Sequence, residues 1–147
     1  MRRPPSVITV AMLLSLLASF TSSANAEQYL CVPEEVTGFR YDNRADAWVN
    51  AEFKPYKYMI TESTDSQSAF KVSRLGTDFA MAFCSEGFNE SGYLLCDGIS
   101  NFYFNKENSR FLLSYPYGYF NVLGEANGNT DKTSDTPYMG IGLCSPF

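Results

Sequence analysis

Histidine is absent from the whole 147-residue chain. Its absence excludes Ser-His-Asp and Cys-His machinery outright. Cysteine is scarce as well: Cys31, Cys84, Cys96 and Cys144 are the full set. None falls in a Cys-x-x-Cys pair, so with no histidine a metal site has no ligand framework to build on. The chain also has no phosphate-cradling Gly-rich loop and no dinucleotide fingerprint, and no cofactor is expected. Beyond the N-terminus the basic residues are scattered: Arg40, Arg44, Lys54, Lys57, Lys71, Arg74, Lys106, Arg110 and Lys132. No cluster is suited to tracking a phosphate backbone, which argues against nucleic acid as a partner and disfavours attachment to an anionic membrane surface. Long apolar runs are missing after residue 26, where no stretch approaches the ~20 residues of a spanning helix.

The one extended apolar run, residues 7–20, is broken only by Thr9, Ser15 and Ser19 and follows Arg2 and Arg3. Ala24-Asn25-Ala26 then supplies small residues where a signal peptidase reads them. That order predicts a secretory signal peptide over residues 1–26, cut between Ala26 and Glu27. An uncleaved anchor is the competing reading, and the run is short for one. No cysteine lies near the cleavage point, so no lipoprotein anchor is indicated. The mature chain, residues 27–147, is the size of one domain. The signal removes two basic residues and no acidic one, which takes the net charge from −5 to about −7. All four cysteines remain, and an even count in an exported chain predicts two disulfides. Of the three connectivities, Cys84–Cys96 with Cys31–Cys144 fits best. The first pair flanks a polar, glycine-bearing hairpin loop at residues 85–92. The second ties the two ends of the domain together.

Helical periodicity is nearly absent from the mature chain. Short runs of aromatic and β-branched residues alternate with Gly, Pro, Asn, Asp and Ser clusters, the pattern of an all-β domain. We therefore expect a small antiparallel β-sandwich or barrel with two disulfides. Expected strands include residues 28–32, 36–41 and 119–123; residues 61–68 read as a loop and 124–137 as a longer polar insertion. A similarity recurs inside the chain. Phe39-x-Tyr41-Asp42 is followed by Trp48, and Phe102-x-Phe104-Asn105 by Phe111, at the same spacing. Each reads as a hairpin in which Asp42 or Asn105 opens an Asx turn and the later aromatic returns opposite an earlier one. Trp48, the single tryptophan, reads as core.

Candidate chemistry is thin. Ser68 and Lys71 match Ser-x-x-Lys, but a strand from residue 70 would put them on opposite faces. Carboxylates are numerous, and a carboxylate-pair hydrolase needs two across a cleft, which spacing does not show. The run 127–131 offers oxygen ligands without the spacing of a calcium loop. Asn89-Glu90-Ser91 is a formal glycosylation sequon. The most informative surface candidate is Tyr115, Tyr117 and Tyr119, which alternate beside Pro116. In an extended segment they share one face, and the proline directs that segment to an edge or a bend. Such an edge suits a sugar ring, a peptide or another protein; the competing role for the tyrosines is to cover the core with their hydroxyls in water. In size, charge, export and cysteine content the chain resembles small bacterial envelope β-proteins, a group that includes lysozyme inhibitors, although no inhibitor motif maps onto its residues. The expectation is a secreted or periplasmic binding or inhibitor-type protein. Its partner would be a basic extracellular or envelope protein, or a glycan. The alternatives are a structural or stress-related envelope component without a discrete ligand and the carboxylate-based hydrolase.

Overall fold

The computed structural model describes residues 27–120 and 136–147. The expected signal peptide and the oxygen-rich 127–131 run lie outside the described residues. Among the described residues nine strands follow one another: β1 (Tyr29–Asp42), β2 (Ala47–Glu52), β3 (Tyr58–Glu62), β4 (Phe70–Arg74), β5 (Ala80–Cys84), β6 (Tyr93–Gly98), β7 (Asn101–Asn105), β8 (Arg110–Tyr115) and β9 (Tyr138–Pro146). They form one antiparallel sheet in the order β2-β1-β3-β4-β5-β6-β7-β8-β9, and a further β1–β9 pairing closes it. The result is an eight-stranded barrel with β2 as an extra strand. β1 makes both arrangements possible. Its first residues, Tyr29 to Cys31, pair with β3, and its last, Thr37 to Asp42, pair with β2. The two strands expected at 28–32 and 36–41 are thus one strand of 14 residues. They are separated by a register shift between Pro33 and Glu35 against β9, at a residue with no N–H to give to the ladder. The strand expected at 119–123 does not begin as a strand. Pro116 ends β8 and Tyr117–Phe120 form a single helical turn, α1; residues 121–135 lie outside the described set.

Alternation sorts the side chains. Leu94 and Cys96, Phe102 and Phe104, and Phe111 and Leu113 all point into the barrel and are almost fully buried. An eight-stranded barrel has an interior just wide enough for side chains to fill, and here aromatic rings fill it. Phe102 stacks on Phe111 at 5.0 Å between centroids, and Tyr58 meets both rings edge-on. Both expected disulfides are present and buried in this core. Cys31 and Cys144 face each other across β1 and β9, and Cys84–Cys96 joins β5 to β6. Such bridges fit an oxidising compartment. No helix among the described residues is long and apolar enough to cross a membrane. Strands β3 to β8 have five or six residues each, short of the ~9–11 of a bilayer-crossing strand.

The two ends of the barrel differ. At one end Phe88, from the loop between β5 and β6, packs against Tyr29, Phe70 and Phe104 at 5.5–5.8 Å. Lys106 lies over its ring, and this end is plugged. At the other end, where β3, β5, β7 and β9 begin, the described residues leave clefts around Tyr138; this is the open end of the described barrel. The β1–β2 hairpin stands beyond that end. It has the same geometry as the β7–β8 hairpin: Tyr41 is opposite Trp48 as Phe104 is opposite Phe111. In β7–β8 the aromatics are barrel core. In β1–β2 they are not, because among the described residues β2 pairs only with β1; Phe39 is half-exposed, and Trp48 is partly exposed instead of the core residue its type implies.

Candidate functional site

The tyrosine segment lies at the open end. Tyr115 closes β8 and stacks on Tyr138 at 5.4 Å, with Tyr117 at 6.3 Å from it. Tyr119 is 63% exposed and packs edge-on against Trp48 at 5.5 Å; Trp48 in turn meets Tyr41. The three tyrosines do not share one face of an extended strand. The turn that follows Pro116 instead brings Tyr119 against the hairpin, where Tyr41, Trp48 and Tyr119 form an aromatic rim, while Tyr117 stays with Tyr115 and Tyr138. Beside it a cleft of about 400 Å³ runs between Phe39, Asn50, Tyr115 and Met139.

Within the open end, two further clefts share Arg74, Thr136 and Tyr138. One, of about 240 Å³, reaches Val36, Phe53, Lys54 and Tyr58. The other, of about 410 Å³, is walled by Thr77, Phe79, Met81, Ile99, Ser100 and Tyr115. Arg74 lies over the Tyr56 ring at 4.5 Å. Burial pushes the Tyr58 hydroxyl well above its ordinary pKa; Tyr138 adds to the shift and the Arg74 charge opposes it. Tyr58 is therefore a neutral donor throughout the physiological range.

A third feature covers the outside of the barrel. Ladder partners align Leu95, Tyr103, Leu112 and Ile141 in one row across β6 to β9. Leu143 and Val32 face each other one step along, across β9 and β1, and Tyr93 lies beside Leu95 on β6. All but Leu112 are exposed, Leu95 at 56%. Arg110, Asn105, Asn108 and Glu34 edge the groove that runs through them. The outer side of β3 to β5 is different: its corresponding row is Thr61, Lys71, Phe83 and, on β6, Asp97. That row interposes Lys71 and Asp97 on either side of the exposed Phe83, so the uninterrupted apolar row is on the β6 to β9 side.

Other sequence candidates are placed as follows. Ser68 precedes β4 and Lys71 faces outward on it. The Asn89 side-chain oxygen accepts hydrogen bonds from the Ser91 and Tyr93 N–H groups, which shapes the β5–β6 loop. The four clefts described here contain a single carboxylate, Glu34. The outer apolar side was missed at the level of sequence. Its signal was present in runs such as Tyr93-Leu94-Leu95 and Phe111-Leu112-Leu113, where both parities are apolar and alternation fails. A strand with one wet face alternates; these do not. Comparison with protein-family models, with curated proteins and with solved structures returned no match to this chain.

Proposed function

We propose that this is an exported binding or inhibitor-type protein that engages an envelope or extracellular protein through the outer face of β6 to β9 and β1. The observation that carries the reading is the aligned apolar row Leu95–Tyr103–Leu112–Ile141, with its polar border. Single exposed apolar residues need no explanation, whereas a contiguous apolar patch rimmed by polar groups marks an interaction surface. The net charge of −5, or about −7 once residues 1–26 with Arg2 and Arg3 are removed, favours a basic partner. The double variant Tyr103→Ala/Ile141→Ala tests it. Both side chains are already exposed, so the unfolding midpoint should stay nearly constant. Binding to a protein captured from the envelope or medium should weaken by ~1–2 kcal/mol or more. Unchanged capture would sink the assignment of this face. Export itself is tested by the mass of the secreted product: it should begin at Glu27, and a product beginning at Met1 refutes cleavage.

The contact between Trp48 and Tyr119 favours a second reading, a glycan lying on the aromatic rim. Tyr119→Ala should then weaken glycan binding with little change in stability, since that ring is mostly in water.

A further inference from the structure

The cleft of about 410 Å³ at the open end of the barrel adjoins the tyrosine segment through Tyr115 and differs from both surfaces above in its polar groups. Its volume is within the ~300–1,000 Å³ of small-molecule sites. Phe79, Met81 and Ile99 give it an apolar wall, and Tyr115 stacked on Tyr138 gives it an aromatic one. Two polar groups stand out. Arg74 is exposed at the entrance, and no described carboxylate pairs with it. Its guanidinium lies over the Tyr56 ring at 4.5 Å, and stacking on a ring face does not use the in-plane N–H fork of a guanidinium. Asp78, between Thr77 and Phe79, does not line the cleft. Ser100 is the second group. It is 1% exposed, and its hydroxyl has no hydrogen-bond partner among the described residues. Its backbone is fixed, because the Ser100 N–H donates to the Met81 carbonyl at 3.1 Å. The burial of Ser100, Phe102 and Phe104 in alternation directs Ser100 inward, toward the mouth of the barrel. Buried hydroxyls are ordinarily paired, and an unpaired one calls for an explanation.

We propose that this cleft binds a small carboxylate with an apolar or aromatic body, its carboxylate on Arg74 and the Ser100 hydroxyl, its body against Met81, Ile99 and Tyr115. Carboxylate is favoured over phosphate by the donor set. One guanidinium fork matches two carboxylate oxygens, whereas a phosphate dianion asks for a basic cluster or a nest of backbone N–H groups. Thr136 supplies a further hydroxyl in the lining, whereas the Thr77 hydroxyl already donates to the Arg74 carbonyl at 3.1 Å. The site does not depend on the outer-face reading.

The test uses the oxidised, ¹⁵N-labelled protein titrated with N-acetyl-L-phenylalanine and, separately, with its uncharged amide. The acid should shift the Thr77, Met81 and Ser100 amide signals saturably, and the amide should bind about tenfold more weakly or worse. Arg74→Gln should erase that preference; where it lowers the Tm, Arg74→Lys, which keeps the charge and loses the fork, replaces it and should weaken the acid. Ser100→Ala should weaken the acid several-fold without lowering the Tm, since it removes an unpaired buried group. The Tyr103→Ala/Ile141→Ala variant should bind the acid normally. Equal binding of acid and amide, no saturable shift up to about 20 mM probe, or unchanged affinity in Ser100→Ala would each overturn the proposal.

Discussion

Single residues set the two similar hairpins. The Asn105 side-chain oxygen accepts the Glu107 N–H at 2.9 Å, and Asp42 accepts those of Arg44 and Ala45 at 2.9 and 3.3 Å. Those backbone hydrogen bonds hold the Asp42 carboxyl below its usual pKa. Four residues after each opening side chain the backbone turns left-handed, at Asp46 with φ 47° and at Ser109 with φ 62°. Neither has the freedom of glycine there. Ser109→Gly should therefore raise unfolding free energy by about 0.5–1 kcal/mol in urea titrations; a loss of stability would show that the serine is not strained. The Asx positions and facing aromatics of these hairpins were legible in the chain. The left-handed residues were not, because nothing in Asp or Ser marks a positive φ until the turn length and the return register are known.

At the scale of elements, the closure of the barrel rests on the β1–β9 seam. Gly142 lies opposite Pro33 there, and a Cβ on it would overlap the Val32 carbonyl and press on the Phe111 ring. The seam is also where Cys31 and Cys144 join residues 113 positions apart, whereas Cys84 and Cys96 are 12 apart. Loop entropy makes the long bridge worth more: removing Cys31 and Cys144 together by alanine should cost about 4–5 kcal/mol, and removing Cys84 and Cys96 about 3 kcal/mol. Comparative chemical denaturation of the two double variants checks the order, and a larger loss for the short bridge would show that its effect is not entropic. The pairing was readable from cysteine spacing and the hairpin loop between the inner pair. The seam was not. It depends on β9 returning to β1 across the whole length of the chain, and on a bulge at Pro33 that local pattern does not announce.

For the molecule as a whole, the core is aromatic and includes phenols. Tyr58 is almost fully buried, and burial raises its pKa; Tyr29 is raised as well, by burial first and then by its hydrogen bond to Glu27. A folded-state pKa above the unfolded value of about 10 gives stability that is fully present below pH ~10 and declines as pH rises beyond it, by ~1.4 kcal/mol per pH unit for each such tyrosine. Urea midpoints should be level from pH 8 to about 10 and then fall. Tyr58→Phe should reduce that alkaline slope. Identical slopes in the two proteins would mean that Tyr58 ionises as freely folded as unfolded. Acid should leave both phenols untouched, since both are neutral there.

What the chain determined alone was local or countable: an all-β domain, from runs and turns of period two; two disulfides with their pairing; two hairpins opened by Asp42 and Asn105; and the exclusion of histidine chemistry. Tertiary structure decided between sandwich and barrel: the Cys31–Cys144 pair brings the two ends together in either, and only the β1–β9 ladder closes the sheet. It also decided which face each strand presents. Tyr103 and Phe104 are equally suited to a core; the register of β7 puts one in water and the other at 1% exposure. The same applies to function. Arg74, Ser100 and Tyr138 are unremarkable and far apart along the chain, and they become one cleft only because alternate strands of the barrel begin or end at the same rim.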